Sequence, residues 1–164
     1  MEFKIVVAAI DINDDLAKAV ILTAESLARR DDAALYVVSA WPPLKDVAPA
    51  YAADLSSTAV VVTEATIDLD RKNRAAAEKK LRALVEESAP DAQVMMFDGE
   101  AADVIPDIAR KTGADVIVAG SHQKGFWETL FSGGASRALI HDAPCGVFLV
   151  TTPFAGKILA AAKG

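Results

Sequence analysis

Residues 120–134 read GSHQKGFWETLFSGG and gather four of the chain's nine glycines and one of its two histidines. They follow the apolar run DVIVA at 115–119 and precede GASRALIHD at 134–142, whose spacing predicts a short helix. A strand, a glycine-rich loop and a helix N-terminus together make an anion site. Unpaired N–H groups and the positive end of the helix dipole face the loop, and glycine lets the backbone come close to a phosphate. Ser136 adds a hydroxyl in the first helical turn. The same glycines also suit a turn and a cap with no ligand, and the loop alone leaves both readings open. Asp11, at the end of the first apolar run, and Ala40-Trp41, at the end of the second, are the other places where a ligand would meet the chain.

Other chemistry finds less support. His122 has two uses open to it: ordering the loop by packing or hydrogen bonding, or facing a phosphate. His141 falls near a helix C-terminus, where an imidazole suits the dipole, and no nucleophile stands with either to make a Ser–His–Asp set. Asp11, Asp14 and Asp15 resemble the acidic pocket of a response-regulator receiver. Asp98 could stand for its phosphoacceptor, but Thr151-Thr152 occupies the place of its lysine, and Asp14 and Asp15 read better as caps and first-turn charges. SGGAS at 132–136 echoes an ATP pyrophosphatase loop without its aspartate, and no GKS or GKT exists for a Walker A loop. Phe126 and Trp127 read as packing under the loop, and Cys145 as an inert thiol in a buried strand.

The elements that must position these residues alternate. Strands are predicted at 3–10, 34–41, 92–97, 115–119 and 145–150, short and apolar enough to be buried on both faces. Helices are predicted at 15–30, with Asn13 and Asp14 as N-cap candidates, and at 59–89, with Leu69, Ala76, Leu81, Leu84 and Val85 as its apolar side. A third runs over 101–112, with Pro106 either early in it or kinking it and Gly113 as its C-cap. Residues 42–58 make an irregular connection. The tail, 151–164, reads as a loop and a short helix over KILAAA. Strand–helix alternation with right-handed crossovers predicts a three-layer α/β domain around a five-stranded, doubly wound parallel sheet. Ligands of such sheets sit beyond the carboxyl ends of the strands, where Asp11, Ala40 and the 120–134 loop all fall.

Bulk properties narrow the class. The chain has 164 residues, which fits one domain over 1–152 with a tail at 153–164. A net charge of −6 offers no footprint for nucleic acid. The apolar start, MEFKIVVAAIDIND, is too short for a signal peptide, no run is long enough to span a membrane, and one cysteine makes neither a disulfide nor a zinc cluster. Together these predict a cytoplasmic protein.

KIVVAAIDIND, LYVVSAW, DGEAADVIPDIARKTGADVIVAGSH and SRALIHDAPCGVFLV together resemble the universal stress protein A superfamily over nearly all of residues 3–151. The resemblance implies strand order 3-2-1-4-5 with the adenine-nucleotide alpha hydrolase-like fold, and a homodimer through the last strand, Cys145 to Val150. The nucleotide-binding branch carries a Gly, two residues, Gly, nine residues, then Gly followed by Ser or Thr. Gly120 and Gly133 match the outer glycines; Gln123 replaces the inner one and Gly134 the hydroxyl residue. The resemblance thus implies a site of Ala9, Ile10, Asp11, Ala40, Gly120, Ser121, His122, Gln123, Gly133, Gly134, Ala135 and Ser136. It would take ATP or a related adenine nucleotide, with Mg or Mn entering alongside.

The departures set the chain between two branches. Gln123 puts a side chain where backbone approach is wanted, strained if the position needs positive φ, although Gly125 lies two residues on. His122-Gln123 followed by Phe126-Trp127 is similar to the branch around the type member, which lacks the glycine motif and is not an ATP binder. The expected function is a nucleotide-binding stress-response module and not an enzyme. The alternative is a nucleotide-free dimer acting through protein contacts. Slow ATP hydrolysis ranks last because no general base is evident.

Overall fold

IVVAAI, the first strand, has no polar side chain, and its residues alternate between two cores. Val6, Ala8 and Ile10 face one and Val7 and Ala9 the other, all at most 4% exposed. Such a strand belongs in the middle of a sheet covered on both sides. The computed structural model describes residues 1–44, 63–121 and 143–163. The strands are β1 (Ile5–Ile10), β2 (Ala34–Trp41), β3 (Gln93–Asp98), β4 (Val116–Gly120) and β5 (Gly146–Val150). They form one parallel sheet in the order β3-β2-β1-β4-β5. Among the described residues the helices are α1 (Ala17–Asp31), α2 (Glu64–Ser88), α3 (Ala101–Thr112) and α4 (Thr152–Ala161). The fold is the α/β doubly wound sheet that the alternation predicts. Helices α1, α2 and α4 cover the face of Val6, Ala8 and Val37; α3 covers the face of Val7, Ala9 and Val38.

Local chemistry sets the helix ends, with three corrections to the sequence reading. The first helix begins at Ala17 rather than 15, and neither Asn13 nor Asp14 caps it. The carboxylate of Asp14 instead accepts the N–H of Leu16 at 2.8 Å, and Asp14 N donates to Asp11 O at 3.0 Å. The local turn therefore claims the capping group before the helix starts. The long helix begins at Glu64, where Thr63 and Thr66 form a reciprocal capping box; residues 59–62 lie outside the described residues. On its apolar side Leu81 and Val85 are buried, whereas Leu69 and Ala76 are exposed. The tail does not open on a loop. α4 starts directly after β5 with Pro153 in its first turn, and Ala155 buries against the α1 side of the sheet. The Phe154 ring lies 5.7 Å from that of Phe148, so the tail shares the domain's core.

Other ends follow the reading. Gly113 closes α3 at φ +69°, a left-handed conformation that glycine adopts freely. Pro106 lies in the second turn of α3, where it leaves the carbonyl of Ala102 without its helical donor. The two outer strands are less buried than the centre. Phe97 on β3 and Val147 and Leu149 on β5 are exposed, because each of these strands has a neighbour on one side only. Cys145 stands one residue before β5 and is half-buried rather than within the strand.

Two carboxylates clamp the amino edge of the sheet, opposite the ends where ligands are expected. Asp115 Oδ2 accepts the N–H groups of Lys4 at 2.6 Å and Ile5 at 2.9 Å. Asp31 pairs with Arg30 at 2.8 Å and accepts the N–H of Phe3 at 2.9 Å. The Arg30 hydrogen bond, then the Phe3 N–H, holds the Asp31 carboxyl below the usual range, and the Lys4 and Ile5 N–H groups do the same for Asp115. A carboxyl whose pKa is depressed on folding stabilises the fold above its unfolded pKa, and that contribution is lost as pH falls through the folded value. The melting temperature is therefore expected to fall as pH drops below about 4, the unfolded aspartate range. In Asp31→Asn/Asp115→Asn the slope should be visibly flatter, as followed by circular dichroism melts between neutral and strongly acid pH. Equal slopes in the two proteins would remove these clamps from the acid response.

Candidate functional site

The order β3-β2-β1-β4-β5 reverses between β1 and β4, so the crevice at a topological switch point lies beyond their carboxyl ends. The described members of the expected site stand at or near these strand ends. Ala9 is buried among Val7, Ile117 and Ala119 on the α3 side. Ala40 alternates onto the same side as Val38 within β2, while Asp11 and Ser121 stand one residue past the ends of β1 and β4. Ala9 pairs in register with both Val38 and Ala119, which sets the three strand ends side by side. Ile10 is placed differently: its side chain is buried in the α1-side core. His122, Gln123, Gly133, Gly134, Ala135 and Ser136, with Gly125, Phe126, Trp127, His141 and the short helix expected at 134–142, lie outside the described residues.

Asp11 is exposed, and its Oδ1 accepts the N–H of Asn13 at 2.9 Å. An ionised carboxylate has about four lone-pair sites, so this bond leaves capacity for donors on a ligand. Ser121 N donates to Val150 O at 2.9 Å, which ties the start of the loop to the last residue of β5.

Gly120 is closely packed against α1. It is the last residue of β4, and a Cβ built on it would meet Leu16 Cβ at 3.3 Å and Val20 Cγ2 at 3.6 Å. A side chain here would press on the start of α1, on the face away from Ala9, and Leu16 would have to give by a few tenths of an ångström. The sequence reading of this residue as an aid to phosphate approach thus has a structural alternative that one sequence does not reveal.

The opposite face of the same carboxyl edge carries a second cleft of ≈ 370 Å³. Ile12 and Asn13 line it from the β1–α1 turn and Trp41 from the end of β2, with Asn73, Ala77 and Lys80 from α2. Three side-chain bonds tie α2 across this edge. Trp41 Nε1 donates to Asp70 at 3.2 Å, Arg74 Nε to Asp98 at 2.8 Å, and Lys80 Nζ to the carbonyl of Ile12 at 3.2 Å. The sequence reading names none of these bonds. The only local signal is the spacing of Asp70 and Arg74, four apart on one side of the helix.

Cys145 is not poised for chemistry. Burial, and then the charge of Asp115, pushes its thiol pKa up, which keeps the unreactive protonated form at neutral pH. Among the described residues, no three His, Cys, Asp or Glu side chains are grouped to hold a metal ion. Nor is any helix among them long and apolar enough to cross a membrane.

The model of the universal stress protein family matches residues 2–151. The chain belongs to the universal stress protein family. A universal stress protein of Thermus aquaticus, described by its place in the QAH/OAS sulfhydrylase 3′ region, is 30% identical over 150 residues, covering 90% of this chain and 98% of its own. Two solved structures of the family share the fold. UspA from Lactobacillus plantarum has a TM-score of 0.61 and 20% identity, covering 92% of this chain and 99% of its own. The universal stress protein from Archaeoglobus fulgidus in complex with dAMP has a TM-score of 0.52 and 20% identity, covering 91% and 98%. Family membership accounts for the strand order, and the resemblance drawn from KIVVAAIDIND and its companion segments is borne out.

Proposed function

We propose that this universal stress protein binds ATP or a related adenine nucleotide in the β1–β4 crevice and serves as a cytoplasmic stress-response module. The observation that supports the reading is that Asp11, Ala40 and Ser121 stand together at the carboxyl ends of three neighbouring strands, at the switch point of the sheet. An acceptor-only carboxylate repels phosphate, so Asp11 would take hydroxyl or amino donors of the adenosine. Ala40 leaves space beside it for a ring. The phosphates would then lie toward the 120–134 loop, with Gly133, Gly134 and Ser136 at the helix N-terminus expected there. Mg or Mn would enter on the triphosphate, since such ions are commonly held by one or two carboxylates together with phosphates. The dAMP held by the Archaeoglobus fulgidus relative supports the ligand class. The module senses or signals through its occupancy rather than by turnover.

Mass spectrometry of small molecules released from the purified protein, with titration calorimetry against ATP, tests this. An adenine nucleotide carried through purification, or saturable heat with ATP, is the expected result. Ligand-free protein with no heat at millimolar ATP would sink the reading.

One observation favours a second reading, a nucleotide-free dimer acting through protein contacts. Among the described residues β5 is an edge strand, with Val147 46% and Leu149 39% exposed. An exposed apolar edge invites pairing. Light scattering should show a dimer that Leu149→Lys converts to monomer. A dimer unmoved by that change would place the interface elsewhere than β5.

A further inference from the structure

The β1–α1 turn that presents Asp11 is held by bonds within it and by a bond from distant Lys80. Within it, Asp11 accepts from Asn13 through its side chain and from Asp14 through its carbonyl, and Asp14 accepts from Leu16 and Ala17. All these bonds bridge two or three residues, so they shape the turn without fixing it to the rest of the domain. Ile12 fixes it twice. Its side chain is buried in the α1-side core at 6% exposure, and its carbonyl accepts the Lys80 ammonium at 3.2 Å across a separation of 68 residues. That carbonyl belongs to the peptide between Ile12 and Asn13. Asn13 in turn donates its N–H to the Asp11 carboxylate. Lys80 therefore acts on the same peptide plane that orients Asp11.

α2 is suited to serve as the fixed end of this tie. Leu81, next to Lys80, is fully buried, and Val85 follows one turn later. Further along, Asp70 reaches Trp41 at the end of β2 and Arg74 reaches Asp98 at the end of β3. The helix thus braces the carboxyl ends of three neighbouring strands, and Lys80 is its contact with the strand that leads into Asp11.

We infer that Lys80 is a positioning residue. Through the Ile12 carbonyl it sets the orientation of the β1–α1 turn, and so the aim of the Asp11 carboxylate into the nucleotide crevice. The inference rests on the nucleotide reading for its consequence, but not for its mechanical part. Lys80→Met keeps most of the stem and removes the donor, Lys80→Arg restores a cationic donor, and Arg74→Met cuts the brace at β3, away from the turn.

The test joins two measurements on the full chain: backbone amide order parameters of Asn13 and Asp14 by ¹⁵N relaxation, and ATP affinity by calorimetry. In Lys80→Met the order parameters should fall from about 0.85, typical of rigid backbone, toward about 0.6. ATP affinity should weaken roughly two- to tenfold, the scale of one lost hydrogen bond. Lys80→Arg should recover both, and Arg74→Met should leave both at wild-type values. Unchanged order parameters in folded Lys80→Met overturn the inference, and so does a loosened turn with unchanged affinity. A uniform loss of order along α2 also overturns it, because Lys80 would then be stabilising the helix and not the turn. Wild-type protein that takes up no ATP defeats the nucleotide reading instead, and the order parameters alone then decide whether Lys80 holds the turn.

Discussion

Leu81→Ala is expected to destabilise the protein by about 2–5 kcal/mol, the range for deleting a buried leucine whose cavity does not fully collapse. Leu81 is fully buried, and within α2 only it and Val85 are. Ala77 and Leu84 pack against the same core but remain partly exposed. The helix has 25 residues and a highly charged outer surface, so its attachment to the sheet rests on few side chains. Its outer ion pairs, such as Arg82 with Glu78 at 2.8 Å and Lys18 with Glu87 at 2.6 Å, are solvent-exposed. Pairs of that kind contribute about 0–1 kcal/mol each and cannot compensate for Leu81. Leu69→Ala is the contrast. Leu69 is 44% exposed, and its truncation should stay within about 0.5 kcal/mol of wild type, as surface changes do. Urea unfolding at fixed protein concentration reads both. A Leu81→Ala protein as stable as Leu69→Ala would show that α2 is not held by its buried face. Loss of Leu81 should also loosen the brace formed by Asp70, Arg74 and Lys80, so amide exchange along α2 should rise before global unfolding sets in.

The contrast between Leu81 and Leu69 marks where sequence periodicity stops being informative. Both fall on the apolar side of one helical pattern, and each is a leucine four or fewer residues from a charge. Only the position of the helix along the sheet decides which is covered. The strands were legible because their burial is written in composition: IVVAAI has no residue that tolerates solvent only, and every position from Val6 to Ile10 is buried. Helix starts were less legible, because Asp14 can cap a helix or close a turn with the same oxygen, and here it bonds to Leu16 N. The tail was undervalued for a different reason. Thr-Pro-Phe reads as a loop, yet a proline in the first turn costs a helix nothing, and Ala155 finds a core that the tail sequence alone does not announce.

The site divides in the same way. The positions of Asp11 and Ala40 at strand ends are legible because a doubly wound sheet defines that place before any side chain is considered. Gly120 has a use that the sequence does not show, because a missing side chain can make room for Leu16 as well as for a phosphate. The ties of Trp41 to Asp70 and of Lys80 to Ile12 join residues 29 and 68 apart in sequence. No local pattern predicts them, since they follow from where α2 lands after the connection that precedes it.

Asp11→Ala is expected to weaken adenine-nucleotide binding by about 1.5–3 kcal/mol, the worth of hydrogen bonds to a charged group. That corresponds to a rise in Kd of roughly ten- to a hundredfold. The loss has two sources, and a second substitution separates them. In the proposed site the Asp11 carboxylate would meet the ligand, and it also accepts the Asn13 N–H at 2.9 Å and so shapes its own turn. Asp11→Asn keeps a carbonyl oxygen for Asn13 but removes the charge and turns one acceptor into a donor. If the carboxylate reads donors on the adenosine, Asp11→Asn should weaken binding nearly as much as Asp11→Ala, while the Asn13 amide stays as ordered as in wild type. If Asp11 matters only through the turn, Asp11→Asn should bind like wild type and only Asp11→Ala should fail. Because Asp11 is exposed, neither change should move the melting temperature far. Calorimetry with ATP on the two variants, read beside the amide order of Asn13, therefore assigns the carboxylate to the ligand or to the loop, and binding unchanged in both variants would take Asp11 out of the site altogether.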